Sequence, residues 1–269
     1  MKRVMLTVAY DGTAYCGWQI QPGKETIEGV LNRSISELTG ETVEVIGASR
    51  TDSGVHALGN IAVFDTDSSI PAEKFSYALN RRLPEDIRIR EAKEVDSAFH
   101  PRRCESRKTY EYRIYNGEFA LPTKRLYAHF TYVPLNAELM RQGASFLVGE
   151  HDFKSFCSAD TQAQTTVRRI DSVEVREEPA VVCGTAQETV SRRAASGRAV
   201  LTDREIVIRV TGGGFLYNMV RIIAGTLIEV SRGQIPPERV REILEARDRQ
   251  AAGPTAPACG LTLVGYEFL

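Results

Sequence analysis

The alternation of apolar and polar positions divides the chain into short strands and amphipathic helices. Val4, Leu6, Val8 and Tyr10 alternate with Met5, Thr7 and Ala9, which predicts a first strand. Ile27, Val30, Leu31, Ile35 and Leu38 fall on one helical face, with Thr26 placed as N-cap and Gly40 just past the end. Strands are expected over 42–46 and 60–65. Pro71 opens a second helix carrying Phe75, Ala78, Leu79 and Leu83, and a fourth strand covers 87–95. The order β-α-β-β-α-β is that of the ferredoxin-like split unit, an antiparallel sheet with two helices on one face.

The second half repeats that order with additions. Strands are expected over 109–116, 126–132, 167–176, 205–210 and 261–268. Asn136 can cap a helix running to Val148, Thr211-Gly-Gly-Gly is placed at the start of a helix ending at Ser231, and a further helix covers 237–247. Residues 178–199 suit a hairpin or a mobile loop equally. The expectation is an α+β protein of two ferredoxin-like halves with antiparallel sheets, 1–105 and 106–269, with a cleft between them as the ligand site.

Between the expected strands at 42–46 and 60–65 lies a polar stretch, Gly47 to Asn60, reading GASRTDSGVHALGN. It gathers Arg50, Asp52, His56 and three hydroxyls, and a rigid scaffold commonly carries its catalytic groups on such loops. Composition alone makes it equally a long β-connection made of turn residues. Asp52 is the sharpest candidate. In extended backbone Arg50 would point to the same side, and a neighbouring cation favours an ionised carboxylate able to act as nucleophile or base. The plain alternative is a surface ion pair.

Charge enters locally. The 269 residues carry a net charge of -1, so a nucleic-acid partner would need a local basic patch. HPRRCESRKTYEYR, His100 to Arg113, interleaves five Lys or Arg residues with Tyr110 and Tyr112, suited to phosphates and splayed bases. It also reads as a solvated charged run entering a strand with core tyrosines. In TGGGFLYNMVRIIAGTL, Phe215, Met219, Ile222, Ile223 and Thr226 form an apolar stripe, with Arg221, Asn218 and Gly225 opposite. Gly212–Gly214 could hold an anion at a helix N-terminus, although the spacing fits no dinucleotide or P-loop motif. Five scattered cysteines and four unpaired histidines give neither a disulfide framework nor a metal site. No apolar run suits a signal peptide or a membrane span, so a cytoplasmic protein with free thiols is expected.

SRTDSGVHALGN resembles the active-site loop of the TruA family of tRNA pseudouridine synthases. YDGTAYCGWQIQP, ALNRRLP, SRKTYEYRIYN, GEHDFKSF, TVRRI, GGGFLYNMVRIIAGTL and ACGLTLVGYEF are similar to further family segments in the same order, over nearly the whole chain. The resemblance implies two ferredoxin-like halves around a basic cleft and a homodimer without metal or cofactor. It implies isomerisation of uridine to pseudouridine in tRNA, at positions 38 to 40 of the anticodon stem-loop. Asp52 looks like the catalytic aspartate, Arg50 belongs to its loop, and Arg221 looks like its arginine partner. Tyr110 looks like the tyrosine that stacks on the uracil and handles the C5 proton, and Leu261 like an apolar residue of the base pocket. His56 is left a structural or RNA-contacting part. Ser53 stands where alanine is common and Asn60 where many relatives have glutamine, which leaves other tRNA positions open as targets.

Two other classes are weighed. Asp52-Ser53-Gly54 is the tripeptide of aspartic proteases, but those need two such carboxylates. A non-catalytic RNA-binding protein on the same fold is the second, since fold does not fix activity. The joint presence of Arg50, Asp52, Tyr110 and Arg221 argues against it.

Overall fold

A computed structural model describes residues 1–159, 161, 163–180 and 203–269. The expected loop or hairpin at 178–199 lies outside the described residues from 181 onward. The chain divides into two compact units, 1–110 with 262–269, and 111–261.

The first unit is built around β1 (Lys2–Tyr10). The sequence makes β1 a strand by alternation, and burial makes it central. Val4, Leu6 and Val8 are fully buried on one face, while Met5 packs on the other with Ala48, Ile61 and Val63. β1 pairs antiparallel with β3 (His56–Thr66) on one side and β4 (Ile87–Val95) on the other. β10 (Leu261–Phe268) extends the sheet in parallel from β3 at Thr262–His56, and the first half of β5 (Ser106–Asn116) lies beside β10. α1 (Ile27–Thr39) is stopped at both ends by its expected caps. Thr26 Oγ1 accepts from Gly29 N, and Gly40 takes the left-handed conformation. The second helix is short, α2 (Phe75–Asn80), entered through one 3₁₀ turn at Ala72–Lys74, with Phe75 edge-on to Phe64 of β3.

The two expected strands that flank the polar stretch change their bounds. The strand at 42–46 shrinks to β2, Ile46–Gly47, paired with β3. The reason is competition from α1, whose Ser36 hydroxyl accepts from Val43 N and whose Asn32 side chain accepts from Val45 N. Those amides are then not free for a ladder. Conversely, β3 begins at His56, four residues earlier than expected. A register shift against β1 between Val8 and Tyr10 accommodates the extra length as a bulge.

The second unit has the strand order β5-β9-β8-β7, with β7 (Gly149–Asp152), β8 (Val167–Pro179) and β9 (Arg204–Gly212) paired antiparallel, and β6 (His129–Thr131) parallel on β5. Tyr112, Ile114, Ile206, Ile208 and Val210 are buried on alternate positions. Three helices are present: α3 (Ala137–Ser145), capped by Asn136 as expected but ending short of Val148, α4 (Met219–Ser231), which starts well after the expected Thr211, and α5 (Arg239–Ala246). Gly143 of α3 lets Leu227, Val230 and Val240 of the other two approach. The fold is thus mixed α/β with mostly antiparallel pairing.

The Thr26 cap is the local signal most open to test. Thr26→Ala is expected to lower the unfolding free energy by about 1 kcal/mol, measured by chemical denaturation. An unchanged midpoint would show that the cap contributes nothing.

Candidate active site

The polar connection is shorter than its sequence implies. With β3 starting at His56, the loop proper spans residues 48–55, and His56 to Asn60 belong to a strand. Its backbone is held from several directions. Ala48 N donates to Ile61 O, which continues the β2 ladder by one bond. The fully buried Asn60 then takes over. Its Oδ1 accepts from Ser49 N at 3.2 Å and its Nδ2 donates to Ser49 O at 2.9 Å. Nδ2 also lies 3.3 Å from Tyr10 OH, which is 2.8 Å from Thr51 Oγ1. From the 11–18 loop, Trp18 N donates to Thr51 O, and Gly54 N and Ser53 Oγ both donate to Tyr15 O. Gly17 makes this approach possible. Its φ is +82°, and a Cβ there would stand 2.6 Å from Thr51 O. Arg102 Nε closes the set by donating to Gly47 O at 2.7 Å.

Asp52 is half-buried near the tip, and its carbonyl closes a turn with Val55 N. Arg50 is exposed, so the two do not share the exposure of neighbours on one strand face. His56 is 4% exposed. Its Nδ1 lies 3.1 Å from both Gly12 N and Asp11 Oδ1. The amide can only donate, which assigns Nδ1 as an acceptor, and Asp11 Oδ1 takes its protons from Thr13 N and Oγ1 instead. His56 therefore ties the Asp11-Gly12 turn to the start of β3.

Tyr110 is buried, at 8% exposure. Burial first, then the nearby Tyr10 phenol and the Asp52 carboxylate, push its phenol above the ordinary tyrosine range, and the Ser49 hydroxyl opposes this. Ser49 Oγ is itself buried and meets no hydrogen-bond geometry among the described residues, so it acts on Tyr110 by proximity. The structure thus brings Asp52 and Tyr110 to one buried polar cluster, while His56 bonds the Asp11-Gly12 turn. Sequence reasoning missed the residues that build the cluster: Tyr10, Thr51, Asn60 and Arg102. Tyr10 and Asn60 show only polar character at strand positions, Thr51 one hydroxyl among three in the loop, and Arg102 one charge in the basic run.

In the second unit, Arg221 is half-buried on α4. Its Nε donates to Ala256 O at 2.8 Å and its Nη1 to Asn218 Oδ1 at 2.7 Å. Gly225, one turn on, admits the 253–256 segment. A Cβ there would stand 1.8 Å from Pro254 O, so the close approach belongs to the chain itself. The helix does not begin at Thr211-Gly-Gly-Gly. Gly212 ends β9 opposite Ile170, and Asn218, left-handed at φ 61°, precedes α4. The expected anion seat on Gly212–Gly214 is removed with that boundary. Leu261 is buried where β10 begins, after a 3₁₀ turn at Ala258–Gly260.

The basic run is divided by pairing. Arg113 bonds Glu111 and Glu205 and lies 3.4 Å from Glu178, while Lys108 sits over the Tyr266 ring. Arg102 is held below its ordinary range by burial and then by the neighbouring Arg50 guanidinium. Among the described residues, no group of three or more His, Cys, Asp or Glu could hold a metal ion, and Cys16, Cys104, Cys157 and Cys259 are free thiols. Among them, too, no helix is long and apolar enough to cross a membrane.

The family model described as tRNA pseudouridine synthase matches residues 6–102 and 144–268. A protein of Acetivibrio thermocellus named tRNA pseudouridine synthase A is 44% identical over 268 residues, covering 100% of both chains. Proteins of the same name from Bacillus subtilis and Geotalea daltonii are each 43% identical over 264 residues, covering 97% and 98% of both chains respectively. The chain belongs to the tRNA pseudouridine synthase family. Membership makes it an enzyme of the isomerase class. Arg50, Asp52, His56, Arg221 and Leu261 lie within the segments matched by the family model, and Tyr110 lies between them.

The phenols give a pH dependence with a definite sign. Tyr10, Tyr110, Tyr112 and Tyr115 are all held above the ordinary range, burial being the first cause in each. An unfolded phenol ionises near pH 10, roughly. Below that pH both states keep the proton and the contribution to stability is constant. Above it the unfolded chain releases protons that the folded chain retains, and stability falls. Alkaline titration is expected to show the phenolate absorbance of these four tyrosines only as circular dichroism reports loss of the fold. Their reversible ionisation in an intact fold would refute this.

Proposed function

We propose that the chain isomerises uridine to pseudouridine within tRNA, at positions 38 to 40 of the anticodon stem-loop, with Asp52 as nucleophile or base and with no cofactor. One observation carries the reading: a half-buried carboxylate is presented by a loop clamped on the residues before it, beside a buried tyrosine. The names of full-length relatives support the substrate class.

The target nucleotide must leave its stack to reach such a group. The bond from N1 to C1′ breaks, the uracil turns, and C5 bonds to C1′; C5 then gives up its proton while N1 gains one. Asp52 either attacks C1′ and leaves it again as C5 bonds there, or removes the 2′ proton and returns it at that step. Arg221 pairs with Asp52 in this scheme, and Arg50 serves the same loop. Tyr110 stacks on the uracil and handles the C5 proton. Leu261 lines the base pocket, and His56 acts as a structural or RNA-contacting residue. The raised phenol keeps Tyr110 neutral at ordinary pH, which suits stacking. It can accept the C5 proton only as its own proton moves on. Water must be kept from the intermediate, since net hydrolysis would release free uracil.

The proposal takes residues 1–105 and 106–269 as ferredoxin-like halves with a basic cleft between them, acting as a cytoplasmic homodimer. The β4-β1-β3 order with β2 on β3 supports this for the first half.

The test is release of tritium from tRNA labelled at uridine C5. Wild type is expected to release it and Asp52→Ala to fall by at least about 1000-fold, the scale expected when a nucleophile is removed. No release by wild type, or equal release by both, overturns the assignment. Sequencing of the product at single-nucleotide resolution is expected to place the modification at positions 38 to 40; modification confined elsewhere refutes that part.

A further inference from the structure

We infer that Tyr10 is a positioning residue for the isomerisation: its phenol ties Thr51 to Asn60 and so fixes the backbone that carries Asp52. This rests on the reading of Asp52 given above.

Tyr10 is the last residue of β1 and is 4% exposed. Its ring cannot drift. The strand holds one end, and Trp18 packs against it at 5.9 Å between centroids. The bulge in β3 lies between the rungs of Val8 with Asn60 and Tyr10 with Ala57. That irregularity is where the Asn60 amide reaches the phenol. The phenol oxygen accepts from Asn60 Nδ2 and shares a hydrogen bond with Thr51 Oγ1. Asn60 meanwhile takes both backbone groups of Ser49. Residues 49 and 51 are thus fastened to one buried cluster, and Asp52 follows directly. Tyr10 is also close enough to Tyr110 to raise its pKa. One phenol therefore bonds the residue next to Asp52 and lies near Tyr110. A side chain that touches no substrate still sets the rate if it fixes one that does, because a displacement of about 1 Å can cost on the order of 100-fold.

A purely stabilising cluster would lower the folded fraction and leave the rate per folded molecule unchanged. The measurement is therefore kcat and KM for tritium release, normalised to folded protein by circular dichroism. Tyr10→Phe keeps the ring and its contact with Trp18, and Thr51→Val keeps the shape of the side chain. Each is expected to lose about 10- to 100-fold in kcat with KM for tRNA unchanged. The double variant should lose no more than the worse single one, since both cut the same bond. Thr51→Ser, which restores a hydroxyl, should lie within about twofold of wild type. If Tyr10→Phe does not fold, Thr51→Val and Thr51→Ser decide the matter. Wild-type kcat in the folded variants, or losses that multiply in the double variant, overturns the inference. Asp52→Ala is run alongside. If it retains release, the reading of Asp52 falls and this inference with it. If it is silent while Tyr10→Phe is fully active, only the role of Tyr10 falls.

Discussion

One buried side-chain amide does for the Asp52 loop what a neighbouring strand would otherwise do. Backbone N–H and C=O groups withdrawn from water need partners, which is why connections normally stay on the surface. Here the connection dips inward. The β2 ladder ends with Ala48 N on Ile61 O, and the next residue, Ser49, is 4% exposed. Its two backbone groups would be orphaned at about 1–3 kcal/mol each without a partner. Asn60 supplies a donor and an acceptor in one planar group, and its remaining proton reaches Tyr10. The inward path of the loop, the half-burial of Asp52 and the nearness of Ser49 to Tyr110 all depend on that substitution of side chain for strand.

Features fixed by local rules were legible in the chain itself. β4 and β10 occupy the ranges read from alternation, and α1 ends at the caps read from Thr26 and Gly40. Features decided by distant partners were not. Nothing local shows that Asn32 and Ser36 of α1 would take the amides of Val45 and Val43, which cut the second strand to two residues. Nor does the run His56 to Gly59 look like a strand, because its polar member His56 is satisfied by the Asp11-Gly12 turn far away in sequence. Gly212–Gly214 looked like a helix entry because glycine suits one. The ladder with β8 claims Gly212 instead.

The candidate site was legible in the same uneven way. Asp52 stands out by its company in the sequence, and Tyr110 by alternation within a basic run. Their supports did not stand out. Tyr10 read as the end of a strand and Asn60 as the start of another, and only the bulge in β3 brings their polar atoms together. Charge shows a related limit. Counting finds five Lys or Arg residues in the stretch from His100 to Arg113. Arg113 is consumed by Glu111 and Glu205, two buried carboxylates that also draw in Arg176, Arg209 and Lys124. A sequence gives the number of charges, and the fold decides which remain available to a phosphate.

The grouping of Asp52 with Tyr110 carries a consequence for the loss of the C5 proton in the proposed reaction. Burial is the larger reason the Tyr110 phenol holds its proton, and the Asp52 carboxylate adds to it. While Asp52 is ionised, a phenolate nearby is opposed by a like charge. On either route Asp52 loses its charge as the bond from N1 to C1′ breaks, by bonding to C1′ or by taking the 2′ proton, and regains it as C5 bonds to C1′, before the C5 proton leaves. The opposition from that charge is therefore present when the C5 proton leaves, and a free Tyr110 phenolate is disfavoured at that step as it is at the first. Burial also favours the neutral phenol, so the proton it takes from C5 must be matched by one it gives up. Ser49 and Tyr10 are among the polar groups bordering it in the same unit, and they sit on the cluster that also fixes Asp52 in place.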